Sequence, residues 1–434
     1  NTRGQQQRRD GKMTIFFITF IILLLIGVPI SISIGASAVL GCLVLDYPLM
    51  VIGQKMVTGV DSYLLIAIPL FILAGNLMNA GKITDKIFSF AKELVGWIPG
   101  GLGHANIVAS IIFAGMSGSA AADAGGLGTI EMEAMTKNGY RDNFSGAVTA
   151  ASSVIGPIFP PSIPLIIYGA TASVSVAKLF MGGVLPGLLM GVALMVLVFI
   201  FAVKYRFERH PFDIIALSKQ FFGSILSLIT PLIILAGFTS GSFTPTEASS
   251  IAVAYSLVIA VVVYHTIDWK AFKNCLLESA ITSANTLFII GTSTLFTYVL
   301  VKEGASKAIA DFILGISSNP EVILLIINVV LLILGMFMEP GAILTLMLPV
   351  LLPIVKDLNI DLVHFGVVMV LNLMIGQVTP PFGVCLFVIS DVAKIKLDKL
   401  YRSIIPFLAP LIIVLLMCTY IPDIVIWLPN LLVK

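Results

Sequence analysis

Residues 151–162 read ASSVIGPIFPPS, and residues 375–383 read IGQVTPPFG. Each string lies inside a long apolar run, 143–172 for the first and 360–392 for the second. Two consecutive prolines remove two backbone donors and bar the preceding residues from helical geometry. Each run is therefore read as a helix broken in its middle. Carbonyls released inside hydrocarbon need a partner, and a cation bound by oxygen ligands is one. Half-helix N-termini beside the break favour an anion.

The two strings are the centre of an internal repeat. Gly115-Met116 recurs 220 positions later as Gly335-Met336. At the same offset Ala122 meets Ala342, Gly146 meets Gly366, Ile155-Gly156 meets Ile375-Gly376, Pro160-Pro161 meets Pro380-Pro381, and Pro186 meets Pro406. An odd number of crossings separates the copies, so they are expected to have opposite membrane orientation, a transporter architecture.

Each half also holds a segment of the wrong length for a single span. Residues 102–136 as one helix would measure about 52 Å, against roughly 30 Å of hydrocarbon. Their centre, GMSGSAAADAGGLG at 115–128, is rich in helix-weakening Gly and Ser. Broken there, the first arm reaches only about 22 Å, so a re-entrant hairpin is expected. The matching segment, 322–355, breaks at Glu339-Pro340-Gly341 into arms of about 25 and 21 Å. Small residues also serve close helix packing, but that alone does not account for both interruptions recurring in register.

The composition fits this reading. Of 434 residues, 58% are apolar and 11% charged, less than half the charge of a typical soluble domain. The mean hydropathy is +1.06. There is room for roughly ten to twelve crossings. A formal net charge of +2 argues against nucleic acid as a partner. Basic clusters follow too many segments to orient the chain. The expected fold is an all-α polytopic membrane protein, an inverted repeat with two re-entrant hairpins and two broken helices.

The expected division runs as follows. Residues 1–12 are a polar linker or tag remnant before Met13, and 13–59 are N-terminal scaffold helices. The first repeat covers 60–203, with its hairpin at 100–137. Connecting scaffold helices fill 204–280, and the second repeat covers 281–434, with its hairpin at 320–356. Two connectors are amphipathic: Ile83, Ile87, Phe90 and Leu94 share one helical face, as do Ile309, Phe312, Ile313 and Ile316. Both read as interfacial or linker helices. Cys42, Cys275, Cys385 and Cys418 read as small apolar residues packed in helices.

Two enzymatic readings fail on spacing. Gly75 and Gly81-Lys82 are one residue too far apart for a phosphate-binding loop, and Ile83 stands where Ser or Thr would hold magnesium. His104, His210, His265 and His364 lack metalloprotease spacing.

The chain resembles the large membrane subunit of a tripartite ATP-independent periplasmic (TRAP) transporter. The carriers are IPLFILAGNLM (68–78), FAGMSGSAAADAGGLGTIEM (113–132), AASSVIGPIFPPSIPLIIYG (151–170) and IGQVTPPFG (375–383). The resemblance implies a sodium-coupled secondary-active importer of an organic acid anion, with an elevator-type transport domain in a bacterial inner membrane. It implies no cofactor beyond coupling sodium ions. It also implies two partners outside this chain, a small four-helix membrane subunit and a soluble periplasmic substrate-binding protein. Some members fuse the small subunit to the large one; the polar stretch before Met13 read as such a junction favours the sialic-acid branch over C4-dicarboxylates.

By the same resemblance, a first sodium site uses Ser117, Gly118 and Ser119, with Asp123 nearby, against Ser153, Gly156 and Pro157. A second uses Gly335, Met338 and Glu339 against Gly376, Gln377 and Thr379. The substrate carboxylate is expected near Ser152, Pro160, Pro161, Ser162 and Pro380. Asp123 and Glu339 are the ionisable residues nearest the tips, and intramembrane carboxylates are functional candidates by default. Each also reads as a helix cap. Two rival functions stay open: a stand-alone sodium/carboxylate symporter, and an intramembrane enzyme acting on lipid.

Overall fold

The computed structural model describes residues 2–207, 209, 211–239, 243–317 and 319–433. Asn1, Glu208, His210, Ser240, Gly241, Ser242, Ser318 and Lys434, all within the ranges expected above, lie outside the described residues. Among the described residues every regular element is helical, and eight helices are long and apolar enough to cross a membrane. The four cysteines are free and buried.

The chain begins with α1 (Thr2–Leu25), α2 (Ile30–Val44), α3 (Met50–Val60), α4 (Ala67–Ala80) and α5 (Ile83–Val95). Residues 2–12 lie within α1; their Gln, Arg and Lys are good helix formers. The first hairpin follows as α6 (Gly101–Ser117), α7 (Ala120–Gly125) and α8 (Leu127–Lys137), and the first broken helix as α9 (Asp142–Ser153) and α10 (Ile163–Ala172). Next come α11 (Val176–Tyr205), α12 (Ile214–Thr239), α13 (Pro245–Val258), α14 (Trp269–Lys302) and α15 (Ala305–Ile316). The expected boundary at 280/281 falls inside α14, which is one unbroken helix. The second hairpin is α16 (Pro320–Phe337) and α17 (Pro340–Asp357); the second broken helix is α18 (Leu362–Gly376) and α19 (Val384–Ala393). The chain closes with α20 (Leu397–Tyr420) and α21 (Asp423–Leu432).

Hydrogen bonds to α20 display the inversion. Asn143 at the start of α9 donates to Ser403 Oγ (2.7 Å) near the start of α20. His364 at the start of α18 donates to the Cys418 carbonyl (2.8 Å) near its end. The two points are about 22 Å apart along the helix, so the broken helices enter from opposite ends. Each hairpin leaves from and returns to the end at which its broken helix starts. Gly103, in the first turn of α6, packs on Val198 late in α11, and Asn328 of α16 donates to Thr419 late in α20 (3.0 Å).

The halves also pack crosswise: α10 lies against α17, and α19 against α7. Buried amides tie each hairpin to its own broken helix. Asn106 donates to Thr149 Oγ1 (2.8 Å) and accepts from Ser152 Oγ (2.7 Å). Asn372 donates to both the side-chain and the backbone oxygen of Asn328 (2.8 and 2.9 Å).

The amphipathic connectors diverge from a common pattern. In α5 the buried residues are Ile83, Thr84, Ile87, Phe88, Ala91 and Val95, while Leu94 is exposed. The buried face is therefore rotated from the expected one, because α5 packs against both α6 and α12. In α15, Phe312 and Ile316 remain exposed and only Ser306 and Ala310 are buried, so its apolar face points outward.

Candidate functional site

A cavity of about 640 Å³ lies where the interruptions meet. The tip of the first hairpin contributes Ser117, Gly118 and Ser119, and the first break contributes Pro157. From the second half come Glu339, Pro340 and Gly341 of the hairpin tip, with Gln377 and Val384 of the break. α4 supplies Asn76 and Asn79, and α14 supplies Thr282 and Thr286.

Local geometry explains the tips. Gly118 adopts φ +58, and a Cβ there would come 2.8 Å from the Pro161 carbonyl oxygen. Only glycine allows both that turn and that approach. Ser119 caps the second arm by accepting from Ala122 N (3.4 Å), so Asp123 is not the cap. Ser162 caps α10 by accepting from Leu165 N (3.2 Å) while its hydroxyl donates to the Pro157 carbonyl. Glu339 occupies the N-cap position of α17 ahead of Pro340, but its side chain makes no capping bond and is exposed toward the cavity.

Four helix N-termini, those of α10, α17, α19 and the short α7, reach this cavity through Ile163, Pro340, Val384 and Ala120. Among the described residues no Lys or Arg lines it, and Glu339 is its one ionisable lining residue. An organic anion entering would meet helix-end partial positive charge and neutral donors, with no arginine clamp.

The expected residues separate into groups. Ser117, Gly118, Ser119, Pro157, Glu339 and Gln377 line the cavity. Gly335 and Gly376 lie behind it in backbone contact, a Cβ on Gly376 coming within 2.6 Å of Gly335 C. Thr379 donates to the Ile375 carbonyl (2.7 Å). Of the expected substrate group, Ser152, Pro160, Pro161, Ser162 and Pro380 are all absent from the cavity lining. Ser152 instead faces Asn106 and Ser110. Met338, Ser153 and Gly156 likewise sit outside the lining, although a Cβ on Gly156 would lie 3.9 Å from the Ser119 carbonyl oxygen.

Asp123 is buried on the inner side of α7, and neither of its oxygens has a hydrogen-bond partner; the same holds for Glu131 on α8. Glu131, Asn76, Asn79, Thr282 and Thr286 are absent from the expected set. The paired Asn at 76 and 79, one helical turn apart in an apolar run, is a signal for α4; Glu131 offers none beyond its own charge. The oxygen ligands at the tips, the hydroxyls of Ser117 and Ser119 and backbone carbonyls at the first, the Glu339 carboxylate and backbone carbonyls at the second, suit a hard cation. No cluster of three or more His, Cys, Asp or Glu residues stands among the described residues.

Residues 17–424 match the family model described as the tripartite ATP-independent periplasmic transporter, DctM component. The chain belongs to this family. It is 45% identical over 382 residues to the sialic acid TRAP transporter large permease protein SiaM of Vibrio cholerae, covering 87% of this chain and 89% of that protein. The sialic acid TRAP transporter permease protein SiaT of Haemophilus influenzae is 42% identical over 98% of this chain and 69% of its own length. The C4-dicarboxylate TRAP transporter large permease protein DctM of Vibrio cholerae is 34% identical, covering 97% and 98%. The crystal structure of the Alcanivorax borkumensis YdaH transporter, at 13% identity, superposes with a TM-score of 0.64 over 94% of this chain and 97% of its own; that likeness concerns the fold alone. The protein is thus a large permease subunit of a TRAP transporter, a multi-pass inner-membrane transport protein rather than an enzyme.

Proposed function

We propose that this permease imports an organic acid anion, of the sialic-acid class, together with sodium ions. The observation that carries the reading is the central cavity: two hairpin tips, the N-termini of four half-helices and no basic side chain. An anion held there needs positive charge from outside the side-chain set, and sodium bound by tip carbonyls and hydroxyls supplies it. Asn76, Asn79, Thr282, Thr286 and Gln377 offer the amides and hydroxyls that a polyhydroxylated acid requires. The similarity to SiaM and SiaT supports the substrate class; C4-dicarboxylate carriage is the second reading, supported by the similarity to DctM.

The proposed sodium ligands are those expected from the sequence: Ser117, Gly118, Ser119, Asp123, Ser153, Gly156 and Pro157 at one tip, and Gly335, Met338, Glu339, Gly376, Gln377 and Thr379 at the other. The proposed motion is an elevator movement of the hairpins and broken helices, which the crosswise packing and buried amides join into one body, against the helices at both flanks. The partners proposed are a small membrane subunit of four helices and a soluble periplasmic binding protein that delivers substrate.

Uptake of radiolabelled sialic acid into proteoliposomes holding the chain and its small subunit tests the reading. Accumulation is expected only with an inward sodium gradient and the loaded binding protein. Accumulation without the gradient overturns sodium coupling; accumulation without the binding protein favours a stand-alone symporter.

A further inference from the structure

A second cavity, of about 470 Å³, opens at one end of the bundle between the start of α9, the end of α11 and the start of α20. Three arginines from three separate chain segments line it: Arg141 at the N-cap of α9, Arg206 at the C-cap of α11, and Arg402 in α20. Among the described residues none of the three arginines has an ion-pair partner and no acidic side chain lines the cavity. Three guanidinium groups around one cavity repel one another until an anion sits between them. Planar guanidinium forks match phosphate oxygens.

The cavity wall is not that of a simple anion site. Phe144, Phe201 and Phe407 line it together with Tyr205, and the Phe144 ring packs against Phe201 and Phe407 at 5.7 and 5.8 Å. The Arg141 guanidinium stands 5.6 Å from the Tyr205 ring centroid. A cationic rim over an aromatic wall is the arrangement found where a polar headgroup meets its acyl chains. Above it, the outer face of α11 exposes Val192, Val196, Phe199, Ile200 and Val203, a continuous apolar track leading away from the arginines.

The end of the molecule is also the right one. Lys137, Lys204, Lys394, Lys396 and Lys399 stand with the three arginines at the cavity end, whereas the turns at the opposite end carry Lys178 and Lys356 beside Asp357, Asp361 and Asp423. The linear order of basic clusters does not orient the chain, but grouped by the bundle end that α9, α11 and α20 share they favour that end as the cytoplasmic one, where anionic phospholipids are bound by basic pockets between helices.

We propose that this cavity binds the phosphodiester headgroup of an anionic glycerophospholipid from the cytoplasmic leaflet, with its acyl chains along α11. The site is separate from the central cavity and does not depend on the transported substrate. Bound lipid would tie α9, α11 and α20 together at their shared end.

Native mass spectrometry of the full chain, co-purified with its small subunit, tests this. Delipidated protein is titrated with phosphatidylglycerol, with cardiolipin, with phosphatidylcholine and with inorganic phosphate. Wild-type protein is expected to retain one anionic lipid, and neither phosphatidylcholine nor phosphate at the same concentration. The triple variant Arg141→Gln, Arg206→Gln, Arg402→Gln is expected to lose that retention at least fivefold. The control Lys394→Gln, Lys399→Gln keeps it. Equal retention by the triple variant overturns the proposal, and so does equal retention of phosphatidylcholine; displacement of the lipid by inorganic phosphate overturns the lipid source. If the triple variant fails to assemble, a photo-crosslinking residue at Phe207, with all three arginines intact, is read instead: capture of anionic lipid supports the site, and capture of none overturns it.

Discussion

Gly115 and Gly335 hold the same place in the two halves, and so do Gly156 and Gly376, yet their surroundings differ. In the second half the pair meets itself. A Cβ on Gly376 would come 2.6 Å from Gly335 C, and one on Gly335 would come 3.2 Å from Gly376 Cα. The contact is backbone on backbone, and Gly383 N adds a bond to the Met336 carbonyl (3.2 Å). In the first half the pair is parted. Gly115 faces Pro231 of α12, where a Cβ would lie 2.4 Å from the Pro231 Cβ, and the nearest atom to a Cβ on Gly156 is the Ser153 carbonyl oxygen at 3.3 Å. The second hairpin is clamped to its broken helix by main chain, whereas the first is joined through Gly118 and a side-chain network. A sequence repeat therefore preserves where the chain turns without preserving what each turn touches.

The largest effect that distinguishes the halves is expected from Gly376→Ala. Backbone has nowhere to retreat, and overpacking of this kind costs about 1–3 kcal/mol or more. Sodium-driven uptake is expected to fall on the order of a hundredfold, while Gly156→Ala stays within about threefold; similar losses for both would break the comparison.

Next in size is the contrast between carboxylates. Asp123 is buried without a hydrogen-bond partner, so it can carry a charge only when a cation compensates it. Asp123→Asn is expected to lower uptake by roughly tenfold or more. Glu339→Gln, whose side chain faces the cavity, is expected to weaken sodium-dependent uptake by about two- to fivefold. Sodium titrations of both variants in vesicles check the order, and an unchanged sodium dependence in Asp123→Asn contradicts it.

The amide ties come third. Asn106→Ala removes the donor to Thr149 and one acceptor of Ser152, and Asn372→Ala removes two bonds to Asn328. Each is expected to cost about 1–3 kcal/mol, read as a lowered thermal midpoint of the detergent-solubilised protein. The smallest effect is expected on α15: Phe312→Ser, on an outward face 71% exposed, should leave uptake within about twofold.

Much of the architecture was legible in the residues. Prolines and glycines act on their own backbone, so the breaks near Gly156 and Gly376 and the tips near Gly118 and Glu339 follow from local chemistry. Their recurrence at one offset carried the inversion. The cavity lining was less legible, because it depends on which faces meet. Thr282 and Thr286 lie in an uninterrupted helix and reach the cavity only through packing. Ser152 carries a hydroxyl at the expected break, but Asn106 and Ser110 on α6 turn it sideways. In α5, contact with both α6 and α12 rotated the buried face from Phe90 and Leu94 to Phe88, Ala91 and Val95. Such choices belong to the neighbouring helices, and periodicity along one segment does not contain them.

The central claim is that the cavity between the hairpin tips holds substrate and sodium together. Its direct test is the modification rate of a single cysteine introduced as Ser119→Cys, in protein whose four native cysteines are buried. With a membrane-impermeant thiol reagent, the account predicts that labelling slows by about fivefold or more only when sodium and the organic acid are both present. A rate indifferent to both, or slowed by the acid equally well without sodium, would contradict it.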